Sequence, residues 1–118
     1  MAYVDGFVVP VPAGNEAAYR KMAEDAAPLF MDHGATEFVE CWGDDVPDGT
    51  VTDFKGAVKA EPGEVVVFSW IVWPDRATRD AGMAKVMEDP RMQTAGTMPF
   101  DGKRMIFGGF RMIVERGR

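Results

Sequence analysis

The chain has 118 residues, of which 47% are hydrophobic and 27% are charged, and its formal net charge is −6 at pH 7. This length and composition predict one globular domain over residues 1–118. The acidic charge would repel a phosphate backbone, so we expect no nucleic-acid partner.

The chain opens with a predicted strand and helix. Residues 3–11 are rich in β-formers and predict a strand, which Pro10 and Pro12 are expected to end because proline cannot donate a ladder hydrogen bond. Asn15 is a suitable N-cap for the helix that follows. Apolar residues at helical spacing continue to Gly34, where the helix is expected to stop.

Two further strands follow. Residues 36–43 predict a strand in which Glu40 shares a face with Phe38 and Trp42, and a mixed strand of this kind is typical of a sheet edge. Residues 64–73 give the strongest strand pattern of the chain, and both faces of that strand are apolar. A strand that is apolar on both faces must be buried on both faces.

Three aspartates are predicted to cap helices, Asp53, Asp75 and Asp89. The inward face of the helix after Asp75 is expected to consist of Ala77, Ala81, Ala84 and Met87. The short helix after Asp89 begins with a proline, and Gly96 would close it.

A tight turn at residues 101–102 precedes the last predicted strand, residues 104–115, which is also apolar on both faces. The order is strand, helix, strand, strand, helix, strand. Helical crossovers then predict an α+β fold, a ferredoxin-like βαββαβ sandwich with an antiparallel sheet. Both long helices cover one face, so burial of the other face against a second copy predicts a homodimer.

Six blocks of sequence resemble a known family. They are Tyr3-Val-Asp-Gly-Phe-Val-Val, Val39-Glu-Cys-Trp, Asp45-Val-Pro-Asp-Gly, Val66-Val-Phe-Ser-Trp, Asp89-Pro-Arg-Met and Met98-Pro-Phe-Asp-Gly-Lys-Arg-Met-Ile. Together they resemble the YbaA-like family of bacterial proteins of unknown function, over nearly the whole chain. That family is similar to the dimeric α+β barrel superfamily, in which two ferredoxin-like sheets close into one barrel. The resemblance implies a fold and a dimer, and it carries over no catalytic motif.

Cellular location is predicted from three features. The longest apolar stretch, residues 65–73, is far shorter than the roughly 20 residues that a membrane helix needs, so we expect no membrane partner. The first residues lack the pattern of a signal peptide. Cys41 is the single cysteine, so no intrachain disulfide can form. We therefore expect a cytoplasmic protein.

Asp5 and His33 are the candidate catalytic residues. Asp5 lies in the first strand, where a carboxylate is costly unless it is paired, and a raised pKa would suit a general base. The alternative is a structural ion pair, with Arg111 of the last strand as the expected partner. His33 is the only histidine and an acid/base candidate. Its alternative role is to complement the helix dipole at the end of the first helix.

Four residues are candidates for binding a substrate, Tyr3, Trp42, Trp70 and Arg104. The aromatic side chains could line a pocket for a small aromatic or quinone-like molecule, or they could form the core and the dimer interface. Arg104 could stabilise an oxyanion, or it could belong to a rigid turn. One histidine makes haem ligation a poor fit, and no Cys/His spacing indicates zinc, so we expect no cofactor and no metal.

Two functions stay open at this point. The first is a cofactor-free oxygenase or isomerase that acts on a small organic molecule, and the dimeric α+β barrel resemblance includes enzymes of both kinds. The second is a non-catalytic dimeric domain that binds a metabolite or a partner protein. A pocket that an acid/base residue can reach would favour the first function.

Overall fold

The computed structural model describes residues 2–93 and 98–117. Four strands, two long helices and two short helices make up the described chain. In chain order they are β1 (Tyr3–Pro12), α1 (Glu16–Asp32), β2 (Glu37–Trp42), α2 (Phe54–Ala57), β3 (Glu64–Trp73), α3 (Arg76–Glu88), α4 (Pro90–Gln93) and β4 (Ile106–Arg111). Single turns of 3-10 helix lie at Ala13–Asn15 and Gly102–Arg104.

The four strands form one antiparallel sheet in the order β2-β3-β1-β4. Each pair that is adjacent in the sheet runs antiparallel, and the two central strands, β1 and β3, are connected through α1, β2 and α2 rather than by a hairpin. This order confirms the predicted ferredoxin-like α+β fold. The helices α1 and α3 pack on the same face of the sheet and contact each other there.

Side chains from alternate positions of the central strands form the core beneath the helices. Trp73 and Val67 of β3 and Val9 of β1 are almost completely buried. Tyr19 of α1 packs with the valines, and Tyr3 packs with Trp73. The period of two along both strands therefore directs one set of side chains to the helices.

The opposite set of side chains lies on what we call the open face of the sheet. Its large residues include Phe68, which is 45% exposed, and Phe110, which is 59% exposed. The open face consists of Val4, Gly6 and Val8 of β1, Glu37, Val39 and Cys41 of β2, Phe68, Trp70 and Val72 of β3, and Ile106, Gly108 and Phe110 of β4. Both faces of the sheet are therefore apolar, as the sequence pattern of the last two strands indicates.

Strand β1 runs through both prolines to Pro12, so the prediction that Pro10 ends it is wrong. The pairing of β1 with β4 ends at Val8 opposite Ile106, whereas its pairing with β3 continues to Pro12. Among the described strands, β1 pairs with β3 alone beyond Val8, so one edge of β1 is unpaired there. A proline is tolerated at such a position because no second ladder requires its amide hydrogen.

Helix α3 presents a different face to the sheet from the one predicted. Its buried residues are Gly82 and Val86. The residues predicted to face inward are exposed: Ala77, Ala81, Ala84 and Met87. Gly82 lies directly against the indole ring of Trp73, so the close approach of helix and sheet depends on a residue with no side chain.

The predicted caps at Asp53 and Asp75 are confirmed, because their carboxylates accept hydrogen bonds from the backbone N–H groups of Gly56 and Thr78. Asn15 occupies the N-cap position of α1, but its side chain donates to the carbonyl of Pro99 at 2.8 Å instead of capping the helix. Gly96 lies outside the described residues. Across the described ranges, no helix combines the length and the apolar content that a bilayer crossing requires.

Gly82→Ala is expected to destabilise the protein by about 1–3 kcal/mol, because a Cβ at this position would overlap the ring of Trp73 and force a shift in a packed core. Chemical denaturation of both proteins measures the difference. Gly14→Ala is the control, since a Cβ there meets no atom within 4 Å. Equal losses in the two variants would contradict the role of Gly82.

Candidate functional site

A cleft of about 300 Å³ lies between α1 and the β2 edge of the sheet. On the helix side, Tyr19, Ala23 and Ala27 follow one another at a spacing of four residues and so lie on one face. The two alanines leave the space that a larger side chain would fill. The residues that line the cleft are Glu16, Tyr19, Arg20, Ala23, Glu24, Ala27, Phe38, Glu40, Cys41, Trp42 and Val67.

Strand β2 supplies the opposite wall. Its residues Phe38, Glu40 and Trp42 pair with Ile71, Ser69 and Val67 of β3, whose side chains are buried beneath the helices. Partners directly opposite each other in an antiparallel pair point to the same face. The alternation of β2 therefore places one carboxyl group between two aromatic rings on the helix side of the sheet.

Glu40 and Tyr19 form a hydrogen bond across the cleft. The Tyr19 hydroxyl donates to Glu40 Oε1 at 2.7 Å. Burial raises the pKa of Glu40, and hydrogen bonds from Tyr19 and Ser69 offset part of that rise. Burial also raises the pKa of Tyr19 far above its usual value, and the adjacent Glu40 carboxylate adds to the effect. The phenol therefore stays protonated and remains a donor at neutral pH.

Sequence reasoning did not select Tyr19 or Glu40 as site residues. The signal for Glu40 is present in the sequence, because a carboxylate that shares a strand face with Phe38 and Trp42 is expensive to bury and needs a partner. The partner, Tyr19, gives no such signal, because in the sequence it is one of the apolar residues that recur at helical spacing along α1. Of the six predicted site residues, Trp42 alone lines this cleft.

Asp5 is buried and lies outside the cleft lining, over the centre of the sheet. Its carboxylate accepts from Trp73 Nε1 at 2.9 Å, from Arg79 Nη2 at 2.8 Å and from Arg79 Nε at 3.2 Å. The prediction that Arg111 is the partner of Asp5 is wrong, because Asp5 is opposite Gly109 in the sheet and Arg111 is opposite Tyr3. The cation comes from helix α3 instead.

Tyr3 belongs to the same cluster as Asp5. Its ring lies under the Arg79 guanidinium, 5.2 Å from the ring centroid, which is a cation–π geometry. The hydrogen bonds that Arg79 donates to Asp5, together with one that it donates to Asp80, raise the pKa of Arg79. Arg79 therefore connects α3 to both Tyr3 and Asp5 of β1.

The other three predicted residues lie in three separate places. His33 is the C-cap of α1, and its Nε2 is 3.1 Å from Asp89 Oδ2. Trp70 is on the open face, where its indole N–H donates to Glu37 Oε1 at 2.8 Å.

Arg104 forms a bidentate pair with Glu64, with N–O distances of 2.6 and 2.7 Å, and it also contacts Asp101 at 3.0 Å. The hydrogen bond from Arg104 holds the pKa of Glu64 below its usual value.

The six predicted site residues are thus spread over several parts of the fold and are not gathered in one pocket. Within residues 2–93 and 98–117, moreover, no group of three His, Cys, Asp or Glu side chains is arranged to hold a metal ion.

Asp5→Asn is expected to lower the free energy of unfolding by about 3 kcal/mol or more, because it leaves the Arg79 guanidinium without its buried counter-charge. Asp80→Asn is the matched control, since Asp80 contacts the same guanidinium from an exposed position and should cost at most about 1 kcal/mol. Urea denaturation of the three proteins measures both values. A similar small loss in the two variants would contradict a structural role for the buried pair.

Comparison with known proteins places the chain in a family. Residues 2–102 match the family model described as "Protein of unknown function (DUF1428)". The chain is 62% identical over 116 residues to the uncharacterised protein YbaA of Escherichia coli strain K12 and of Shigella flexneri, covering 98% of this chain and 99% of the relative.

Among solved structures, the chain is similar to a MhuD mutant crystallised with two manganese protoporphyrin IX bound per active site, with a TM-score of 0.67, 14% identity and coverage of 98% of this chain and 99% of that one. It is also similar to an uncharacterised NIPSNAP domain protein from Burkholderia xenovorans, with a TM-score of 0.58, 16% identity and the same coverage. These likenesses bear on the fold alone, whereas the family model and the YbaA relatives match the sequence. The chain belongs to the DUF1428 family, the family of YbaA, whose function is unknown.

Proposed function

We propose that this protein binds a small, flat organic molecule in the cleft between α1 and β2, and that Glu40 acts on it as a general base. The observation that carries the proposal is the Glu40 carboxyl, which is hydrogen bonded to Tyr19 at 2.7 Å between the rings of Phe38 and Trp42. A base works best when its pKa is near the working pH, and burial shifts the pKa of Glu40 in that direction.

The chemistry that suits this arrangement is removal of a proton beside a carbonyl group. Glu40 takes the proton, and the electron pair of the broken C–H bond moves onto the carbonyl oxygen as an enolate. Protonation of Glu40 frees the Tyr19 hydroxyl to donate to that oxygen, in the way an oxyanion site does. Where a carbon–carbon double bond is conjugated with the enolate, return of the proton from Glu40 to the far carbon of that system shifts the double bond and completes an isomerisation. The same carbanion is the species with which dioxygen would react in a cofactor-free oxygenase, so both reaction classes share this first step.

The proposal moves the role of base from Asp5 and His33 to Glu40. The Asp5 carboxylate already accepts hydrogen bonds from Arg79 and Trp73, and we assign it to stabilising the fold. His33 faces Asp89 at the end of α1, where its Nε2 lies 3.1 Å from Asp89 Oδ2, and we assign it to this contact. Trp42 keeps its proposed contact with the ligand, whereas Tyr3, Trp70 and Arg104 are assigned to packing and ion pairs.

A porphyrin does not fit the residues of the cleft. His33, the single histidine of the chain, is not among the lining residues. Tyr19 could ligate iron as a tyrosinate, but its raised pKa and its hydrogen bond to Glu40 oppose loss of the phenolic proton. Cys41 lies along the cleft, but it pairs with Phe68, so its side chain points to the open face. We therefore propose chemistry without haem and derive no step through it.

A second candidate, a non-catalytic dimeric domain that binds a metabolite or a partner, is favoured by one observation. Tyr19 and Glu40 satisfy each other in the protein without a ligand, so the pair is also consistent with a structural role. The two candidates differ in whether Glu40 exchanges a proton with a bound molecule.

We also propose that the protein is cytoplasmic, because a chain with one cysteine forms no intrachain disulfide and is compatible with a reducing compartment.

The flat bicyclic ketone tetralone is a suitable probe, and exchange of its acidic C–H for deuterium is followed by NMR in D₂O. We expect the protein to accelerate this exchange and Glu40→Gln to remove roughly 100-fold of the acceleration or more, the usual contribution of a general base. The rate should rise with pH as Glu40 ionises, at a pH above the usual glutamate pKa of about 4.3.

Glu37→Gln is the matched control, because Glu37 lies on the same strand but on the open face. It should leave the exchange rate unchanged. Tetralone binding without accelerated exchange would favour the non-catalytic candidate. Acceleration that survives Glu40→Gln would refute the role of this residue.

We further propose that the open face is covered by a second copy of the chain. The exposed rings of Phe68 and Phe110 are present on this face in each copy, so a two-fold axis would bury both sets at once. A face with these rings exposed is unusual for a monomer.

Light scattering at micromolar concentration is expected to give the mass of a dimer, and Phe110→Lys is expected to give a monomer, because the dimer would bury an unpaired charge. Val51→Lys is the control, since Val51 is 99% exposed and lies outside the open face, and it should leave the mass unchanged. A monomeric mass for the unaltered protein would disprove the dimer.

A further inference from the structure

The charges that line the cleft restrict the kind of molecule that it can hold. Three carboxyl groups, those of Glu16, Glu24 and Glu40, line it together with one cation, Arg20. We infer that the cleft selects ring compounds without a negative charge and rejects carboxylates and phosphates of the same shape. This inference rests on the proposed function, because it names the substrate class of the same site.

Arg20 is not placed to receive an anionic group inside the cleft. Its guanidinium is 3.4 Å from Glu16 on the preceding helical turn, and its side chain is 71% exposed. The charge of Arg20 is thus shared with Glu16 and screened by water. The nearest cation along α1, Lys21, contacts Asp25 at 2.7 Å and is not among the lining residues.

The interior of the cleft disfavours an anion for a second reason. Tyr19, Phe38 and Trp42 give it largely apolar walls, and an anion that entered would lose its water without gaining a counter-charge. Glu40 must be ionised to act as a base, so an anionic ligand would also meet a like charge. A neutral ring avoids both costs. A cationic ring is tolerated, because carboxylates and the face of an indole both attract positive charge.

The same reasoning gives a further ground against a porphyrin. Protoporphyrin carries two propionate carboxylates, and the lining offers them Arg20 as the one cation among its described residues. The MhuD mutant to which the fold is similar binds manganese protoporphyrin IX. Proteins that share this fold can therefore select ligands of different charge, because the side chains that line a site, rather than the fold, determine which ligand charge it accepts.

Three probes that share a naphthalene ring but differ in charge test the inference: naphthol, which is neutral at pH 7, naphthoate, which is an anion, and naphthylmethylamine, which is a cation. Calorimetric titration of the full chain measures their affinities. Naphthol and naphthylmethylamine are expected to bind at least about tenfold more tightly than naphthoate.

The double variant Glu16→Gln, Glu24→Gln should strengthen naphthoate binding by about threefold and leave naphthol binding unchanged, because two exposed like charges are removed. Asp25→Asn is the control, an exposed carboxylate of α1 outside the lining. It should change neither affinity. Higher ionic strength should narrow the gap between naphthol and naphthoate in the unaltered protein.

The outcomes separate this inference from the proposed function. Naphthoate that binds as tightly as naphthol would overturn the charge selection and leave the proton transfer from tetralone intact. Absence of binding for all three probes and for tetralone would overturn both. Tighter binding of naphthol, with a response of naphthoate to the Glu16 and Glu24 substitutions, supports the inference.

Discussion

The contact between Asp5, Arg79 and Trp73 fixes how the helix layer lies on the sheet. A buried carboxylate is stable in a protein when a cation and further donors satisfy it. Arg79 of α3 supplies the cation and the indole of Trp73 supplies another donor, so α3 must lie over β1 and β3. Gly82, one turn further along α3, allows the helix to approach the Trp73 ring. The position of α1 follows, because α1 packs beside α3 on the same face.

This arrangement divides the molecule into a fixed centre and an adaptable edge. At the centre, the side chains of Arg79 and Trp73 are both hydrogen bonded to Asp5. At the β2 edge, Ala23 and Ala27 leave space between α1 and the sheet, and Glu40 is the carboxyl group that β2 contributes to the lining of that space. At the centre, the Asp5 carboxylate is paired with Arg79, whereas at the edge partial burial raises the pKa of Glu40. Two acidic residues on one sheet face therefore lie in different surroundings, and the proposed base is the one without a cationic partner among its hydrogen bonds.

The sequence predicts the elements and their order well, because these depend on local patterns. Strand β3 has the predicted bounds, Glu64–Trp73, and the side chain of Asp75 caps α3 as expected. The errors concern contacts between distant residues. Arg79 is 74 positions from Asp5, and no periodicity within α3 indicates that its inward face carries a glycine and an arginine instead of its alanines. The site is predicted less well, since Tyr19 resembles an ordinary core residue until its hydroxyl is seen beside Glu40.

The chemistry of the cleft depends on the register of β2. Glu37 and Glu40 are three positions apart, an odd number, so they point to opposite faces of the sheet. Glu37 accepts from Trp70 on the open face, and Glu40 accepts from Tyr19 in the cleft. A slip of one residue would reverse the faces and bring Glu37, Val39 and Cys41 to the helix side. The pairs on either side of Glu40, Phe38 with Ile71 and Trp42 with Val67, oppose that slip because they bury apolar side chains beneath the helices. The aromatic residues that would contact a ligand therefore also determine which glutamate can act on it.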